Sequence, residues 1–246
     1  MLKNERFIKI EELVNEKKFV SLQELINLLS SSESTIRADL VALEKEGKLI
    51  RVHGGAQALD AYATYEPSFD EKENLQTEEK KIIGKYAATL IKDNYTVYID
   101  AGTTTSAIID YLPDVKATFV TNSPIIGKKI KKRGYKVYVT GGEIKLSTDA
   151  FIGAFAFEII SNFTFDIGFF GTNGISLTEG LTTPDYEEAI IKQSALSRCK
   201  RKYILADDTK FDIVSAVRFH NLENVEIITN KIPDKKFNKN NIKEVR

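Results

Sequence analysis

The chain has 246 residues, 42% hydrophobic and 28% charged, enough for a small domain and a larger one with its own core. Its 35 Lys/Arg balance 35 Asp/Glu, and residues 1–60 carry nine basic against ten acidic residues, so no global basic field advertises nucleic-acid binding. A single cysteine, Cys199, excludes an intramolecular disulfide, no apolar run reaches membrane-spanning length, and residues 1–6 do not read as a signal peptide.

The expectation is therefore a cytoplasmic protein with no membrane contact. Phe7, Ile10, Leu13 and Val14 recur at helical spacing over residues 4–17. Phe19 and Val20 are short and extended, and Ser21 with Glu24 three residues on reads as a capping box for a helix that turns Leu22, Leu25, Ile26 and Leu29 inward. After a turn at Ser30 and Ser31, Ser32 is the N-cap of a further helix with Ile36, Leu40 and Leu43 on one face and Gly47 at its end. That gives about 14 residues, roughly 21 Å, long enough to lie in a DNA major groove. Its other face carries Ser34, Ala38, Val41 and Lys45, flanked by Thr35 and Arg37, short side chains and donors suited to base edges and phosphates. Residues 48–52 read as a strand and Gly54-Gly55 as a hairpin turn, placing Arg51 and His53 on a wing. The plan is a winged helix; a three-helix domain for protein contacts is the alternative.

The run Ser32, Thr35-Ile36-Arg37, Asp39-Leu40, Leu43, Gly47 and Arg51-Val52-His53-Gly54-Gly55-Ala56 resembles the winged helix-turn-helix signature of the DeoR family of bacterial repressors. Ala38 stands where that family usually has a second basic residue, and Ser30 where it often has a glycine. The resemblance implies operator DNA as a partner, met by Ser34, Thr35, Arg37, Ala38, Val41, Lys45, Arg51, His53 and Gly54.

Residues 1–58 are thus the expected DNA-binding domain. Residues 59–77, with weak periodicity, Pro67 and a gathering of acids (Glu66, Asp70, Glu71, Glu73), are the expected linker. Residues 78–246 alternate helices and strands, which predicts an α/β domain on a mostly parallel sheet. After a helix from residue 78 come strands at 96–99, 117–120, 136–139, 166–170, 202–205 and 225–228. Helices are expected at 104–112, 124–132, 149–160 and 187–197, with a last strand near 242–245.

Open α/β sheets bind ligands beyond the carboxyl ends of their strands, and those ends are polar and glycine-rich here. They hold Asp100, Gly102 and Thr103-Thr104-Thr105; Thr121-Asn122-Ser123; Gly141-Gly142; Asn173; and Lys210. The first has the makings of a phosphate cradle, combining close backbone approach at Gly102, three hydroxyls and a helix N-terminus, with Lys210 as counter-charge. Glu188 and Lys192, four residues apart, fit a pocket or an exposed ion pair equally well. Cys199 and His220 have no neighbouring ligand or base, which disfavours a metal site, and no P-loop pattern occurs.

Segments 100–105, 120–123, 140–142, 170–175, 180–189 with Lys192, and 206–210 are similar to the DeoR sensor domain, whose fold resembles ribose-5-phosphate isomerases and CoA transferases. Asp208 and Thr209 stand where the family usually has serines. The resemblance implies a phosphorylated sugar effector, with Asp185 joining the residues above. Segments 171–174 and 182–189 look closest to repressors of fructose uptake operons, which implies fructose 1-phosphate. It also implies a homodimer or homotetramer, no catalytic residues and no cofactor. The rival is a sugar-phosphate isomerase with an added N-terminal module; isomerases of this fold carry carboxylates in the loop where residues 171–175 have none.

Overall fold

A computed structural model describes residues 2–17, 19–52, 54–58 and 68–246, and the chain divides into two units, Met1–Tyr65 and Glu66–Arg246. In the first, α1 (Lys3–Lys17), α2 (Leu22–Leu29) and α3 (Glu33–Lys45) direct Ile10, Val14, Leu25, Leu29, Ile36, Leu40 and Leu43 into one buried cluster. Strands β1 (Phe19–Ser21), β2 (Ile50–Val52) and β3 (Gly55–Gln57) form an antiparallel sheet in the order β1-β3-β2. The β2–β3 hairpin is the wing. Gly55 is obligatory there, because a Cβ would stand 2.1 Å from the Val20 carbonyl oxygen.

Ser32 caps α3, its hydroxyl accepting from the Thr35 N–H at 3.3 Å, and Gly47 at φ +68° ends the helix region. Ser21 caps α2 as expected, but Glu24 gives its carboxylate to Lys17, so the capping box is not closed. Ser30 closes α2 at φ 48°, ψ 44°. This is the left-handed region that costs a non-glycine residue about 1–2 kcal/mol, which accounts for the glycine the family favours at this turn.

The second unit opens with α4 (Phe69–Glu73) and α5 (Thr77–Ala88). The chain then runs β4 (Thr96–Ile99), α6 (Thr103–Ser106), β5 (Thr118–Thr121), α7 (Pro124–Lys132), β6 (Lys136–Val139), β7 (Glu143–Lys145), β8 (Ala150–Ile152) and α8 (Gly153–Ser161). It finishes with β9 (Phe165–Gly171), β10 (Gly174–Ser176), β11 (Gly180–Thr183), α9 (Tyr186–Ser197), β12 (Cys199–Leu205), β13 (Val217–His220), β14 (Glu226–Thr229) and β15 (Ile242–Glu244). The main sheet is parallel, in the order β15-β14-β12-β9-β4-β5-β6. It is buried on both faces: Tyr98, Val120, Ile204 and Ile227 enter one core, while Val97, Ile99, Phe119, Leu205 and Ile228 enter the other. That two-sided burial is why its inner strands read as nearly continuous apolar runs. Among the described residues no helix is long and apolar enough to cross a membrane.

Residues 59–67 of the expected linker lie outside the described residues, and three expectations need correction. Residues 68–77 belong to the second unit, because Phe69 is buried and Ser68 and Glu71 close a capping box around α4. The helix expected over 149–160 is β8 followed by α8, interrupted by Gly153 at φ +81°. The helix expected over 104–112 is the single turn α6 continued by a 3-10 stretch, Ala107–Tyr111. Beside the parallel sheet lie two antiparallel ones, β7-β8 and β10-β11-β13, whose strands of three or four residues are too short to show in the apolar pattern.

Candidate functional site

In the first unit, the side of α3 away from the core presents Ser34, Ala38, Val41 and Lys45, all exposed, at i, i+4, i+7 and i+11. At its N-terminus the Ser32, Ser34 and Thr35 hydroxyls form a cluster, 3.0 and 2.8 Å from the shared Ser32 oxygen. The roll of α3 is fixed from behind. Buried Asp39 receives the Arg6 guanidinium of α1 at two points, Nε to Oδ2 at 2.7 Å and Nη2 to Oδ1 at 3.3 Å. Two arginines flank the exposed stripe, each with a glutamate partner: Arg37 with Glu33 at 2.8 Å, and Arg51 with Glu44 at 2.7 Å. Gly54 is exposed on the wing at φ +84°. His53 lies outside the described residues.

In the second unit the strand order reverses at β4. The chain leaves β4 towards β5 and β6, then returns to β9 on the other side and continues to β12, β14 and β15. The crevice at such a reversal is where an open α/β sheet takes its ligand. Its floor is one buried ion pair: Asp100, just past β4, meets the Lys192 ammonium from α9, with 2% and 7% of the two side chains exposed. The Gly171 N–H at the end of β9 donates to Asp100 Oδ2 at 3.1 Å, and Lys192 also donates to the Gly171 carbonyl at 3.2 Å. Burial raises the pKa of the Asp100 carboxyl above its ordinary value, and the neighbouring Lys192 ammonium opposes that rise. The Phe219 ring of β13 lies 5.6 Å from the same ammonium.

A second polar chain adjoins this floor. Glu188, one turn before Lys192, accepts from the Thr148 hydroxyl at 2.6 Å and the Thr183 hydroxyl at 3.5 Å. Thr183 also lies 3.3 Å from the Asn173 side-chain oxygen. Lys145 stands 3.4 Å from both Glu188 and Asp185, and Asp185 caps α9 by accepting from the Glu188 N–H. The fold thus gathers Asp100, Asn173, Asp185, Glu188 and Lys192. Glu188 and Lys192 are not an exposed ion pair; both are buried, each with other partners. Lys145, Thr148 and Thr183 escaped the sequence reading, and only the last lay in a segment it had singled out.

Other expected site residues serve the scaffold. Asn122 accepts from the Tyr98 hydroxyl and the Ala101 N–H and donates to the Phe151 carbonyl. Thr121 accepts from the Ser123 N–H, Ser123 caps α7, and all three side chains are buried. Thr105 turns its hydroxyl onto the Asp100 and Gly102 carbonyls. Gly142 is held by packing, since a Cβ would stand 2.6 Å from the Ile152 carbonyl oxygen; Gly141 beside it sits at φ +69°. Gly102, Thr103 and Thr104 remain partly exposed, but a one-turn α6 supplies little of the dipole expected for a phosphate cradle. Lys210 is half-buried in a 3-10 turn, Asp208–Lys210, past β12, two strands from β4 and so roughly 10 Å across the sheet. Cys199 donates to the Ala195 carbonyl, and burial pushes its thiol up to about 12, leaving it inert.

Residues 6–61 match the family model of the DeoR-like helix-turn-helix domain, and residues 75–231 that of the DeoR C terminal sensor domain. The chain is 39% identical over 230 residues to the uncharacterized HTH-type transcriptional regulator FruR of Bacillus subtilis, covering 93% of this chain and 91% of that one. It is 36% identical over 214 residues to the lactose phosphotransferase system repressor of Staphylococcus epidermidis, covering 85% and 84%. Among solved structures, ribose 5-phosphate isomerase A of Methanocaldococcus jannaschii aligns over 55% of this chain and 54% of that one, at 14% identity and a TM-score of 0.42. That likeness is too remote to bear on function.

The floor pair yields a stability prediction. Lys192→Met leaves Asp100 buried without its partner and should lower the unfolding free energy by about 3–5 kcal/mol. Asp100→Asn combined with Lys192→Met should recover part of that loss in urea titrations. A Lys192→Met protein that unfolds like the wild type would show that the pair does not hold the crevice together.

Proposed function

The chain belongs to the DeoR family of helix-turn-helix transcription regulators, and on that premise we propose that it represses a sugar uptake or catabolism operon and leaves its operator when a phosphorylated sugar binds the second unit. The outward stripe of α3 carries the DNA half of this reading. Short side chains allow the helix backbone close to base edges, Lys45 and Arg37 supply donors along the groove, and Arg51 is placed for a phosphate from the wing. The glutamates beside Arg37 and Arg51 hold exposed ion pairs, which are weak and readily exchanged for phosphate contacts. Ala38 offers no charge, so affinity rests on few cations.

The crevice at the β4 reversal carries the effector half. Its floor is polar and fixed, while Gly102, Thr103 and Thr104 at the strand end and Lys210 past β12 are open to a polar anion. We read the unit as binding without turnover, because the Asp100 carboxylate is committed to Lys192 and Gly171 and is not a free base. The relative named as a lactose phosphotransferase system repressor favours a phosphorylated sugar, and fructose 1-phosphate, which the likeness of segments 171–174 and 182–189 implies, is the specific proposal.

Self-association belongs to the same reading. Leu146 (91% exposed), just past β7, and Phe155 (74%) and Ile159, one turn apart on α8, are exposed apolar side chains that we offer as an association surface. A second copy of this chain, as dimer or tetramer, is the occupant we assign to it. In sedimentation velocity, Leu146→Asp with Phe155→Asp should give a lighter species than the wild type; equal masses would mean that this face is not the interface.

Arg51→Ala should weaken binding to every sequence about equally and reduce the salt slope by roughly one unit, as loss of one phosphate contact does. A loss confined to one base position in a gel-shift series would instead make Arg51 a base reader. Fructose 1-phosphate should release the operator, and Lys210→Ala should need about ten- to a hundredfold more of it, since a charge-assisted bond is worth roughly 1.5–3 kcal/mol. Coincident release curves would remove Lys210 from the site.

A further inference from the structure

Lys80 stands in the first turns of α5 with 7% of its surface exposed. An ammonium that deep has three donors to satisfy and calls for a carboxylate at ion-pair distance. Among the described residues it donates to a single acceptor, the Lys72 carbonyl near the end of α4, and forms no ion pair. The nearest acid beyond β12, Asp207, has Oδ1 engaged by the N–H and hydroxyl of Thr209.

The helix that carries Lys80 is clamped over the strand-end layer. Gly84, one turn on, lies so close to Ala107 that a Cβ would come within 2.7 Å of its backbone, pinning α5 against the segment that follows Gly102, Thr103 and Thr104. The charges acting on Lys80 are Asp207 and Lys210 from beyond β12 and Lys72 and Glu73 from α4. Lys129 of α7 reaches the same neighbourhood, donating to Glu73 at 3.0 Å and to Ser106 at 3.1 Å. A buried ammonium with one neutral acceptor, and with a second lysine, Lys210, among the charges that act on it, lacks an anion.

We propose that Lys80, together with Lys210, binds the phosphate of the effector, whose oxygens supply the acceptors that the Lys80 ammonium lacks. This assignment rests on the reading of the second unit as an effector-binding domain. It makes Lys80 the recognition element for phosphorylation itself, distinguishing a sugar phosphate from the free sugar.

The pH dependence follows with a definite sign. Burial lowers the Lys80 ammonium to about 8; Lys210 and Lys72 act in the same direction, Asp207 and Glu73 in the other. A phosphate binds the protonated form, so affinity is fully present below this value and falls above it. Between pH 7 and pH 9 one such proton weakens binding about tenfold. The phosphate itself, with its second pKa near 6, stays dianionic throughout that window.

The test is a thermal-shift titration of the full chain with fructose 1-phosphate, inorganic phosphate and fructose. Lys80→Met keeps the length of the side chain and leaves no buried charge, so it should melt at or above the wild-type temperature. It should bind fructose 1-phosphate about ten- to a hundredfold more weakly, with no dependence on pH between 7 and 9. Lys81→Met, on the exposed side of the same helix, should bind as the wild type does. Competition by inorganic phosphate in the wild type and not in Lys80→Met supports a phosphate subsite. Unchanged binding by Lys80→Met, or a wild-type shift by fructose as large as by its phosphate, overturns the assignment. If Lys80→Met does not fold, the wild-type pH profile decides alone, and a flat one rejects Lys80. A wild type that responds to none of the sugars removes the effector reading and this assignment with it.

Discussion

The second unit is organised around the ion pair between Asp100 and Lys192. It joins the end of β4 to the middle of α9, and through Gly171 it also fixes the end of β9, so the two strands that flank the reversal of strand order are locked at their carboxyl ends. Neither charge is tolerable alone at that depth. The pair therefore constrains where α9 lies, and α9 in turn positions Glu188 and, through its cap, Asp185.

The first unit uses a similar device at a smaller scale. Arg6 and Asp39 join α1 to the inner side of α3, so that the apolar contacts of Ile36, Leu40 and Leu43 and the two-point guanidinium contact agree on one roll of the helix. That roll is what turns Ser34, Ala38, Val41 and Lys45 outward. Asp39 is thus a positioning residue, and its place in the family signature follows from packing, not from DNA contact. Both units hold a candidate recognition surface from behind with a buried charge pair, which fixes orientation more sharply than apolar contact alone.

Much of the fold was legible in the chain because helical and strand periodicities are local. The apolar stripes of α2 and α3, the caps at Ser21 and Ser32, the end of α3 at Gly47 and the strands at the centre of the main sheet depend on neighbours a few residues away. The misreadings have two causes. Phe69 within the acidic stretch and the short strands β10, β11 and β13 are set by distant contacts, the break at Gly153 by one residue's backbone, and their local composition pointed to linker, loop or continuous helix.

The site was legible as a list of segments and illegible as an arrangement. Sequence alone determined the winged helix, the α/β class, the polar strand ends and the outward residues of α3, because each follows from spacing within one element. Only the tertiary structure decided that Lys192 pairs with Asp100, 92 positions away, and not with Glu188 four positions away. It also decided that Asn122 and Thr105 face inward to hold the scaffold, and that Lys80 is buried with a single acceptor. A side chain's partner depends on which strands the sheet brings side by side. That order is fixed by burying two apolar faces at once, a property of the whole chain that no local pattern records.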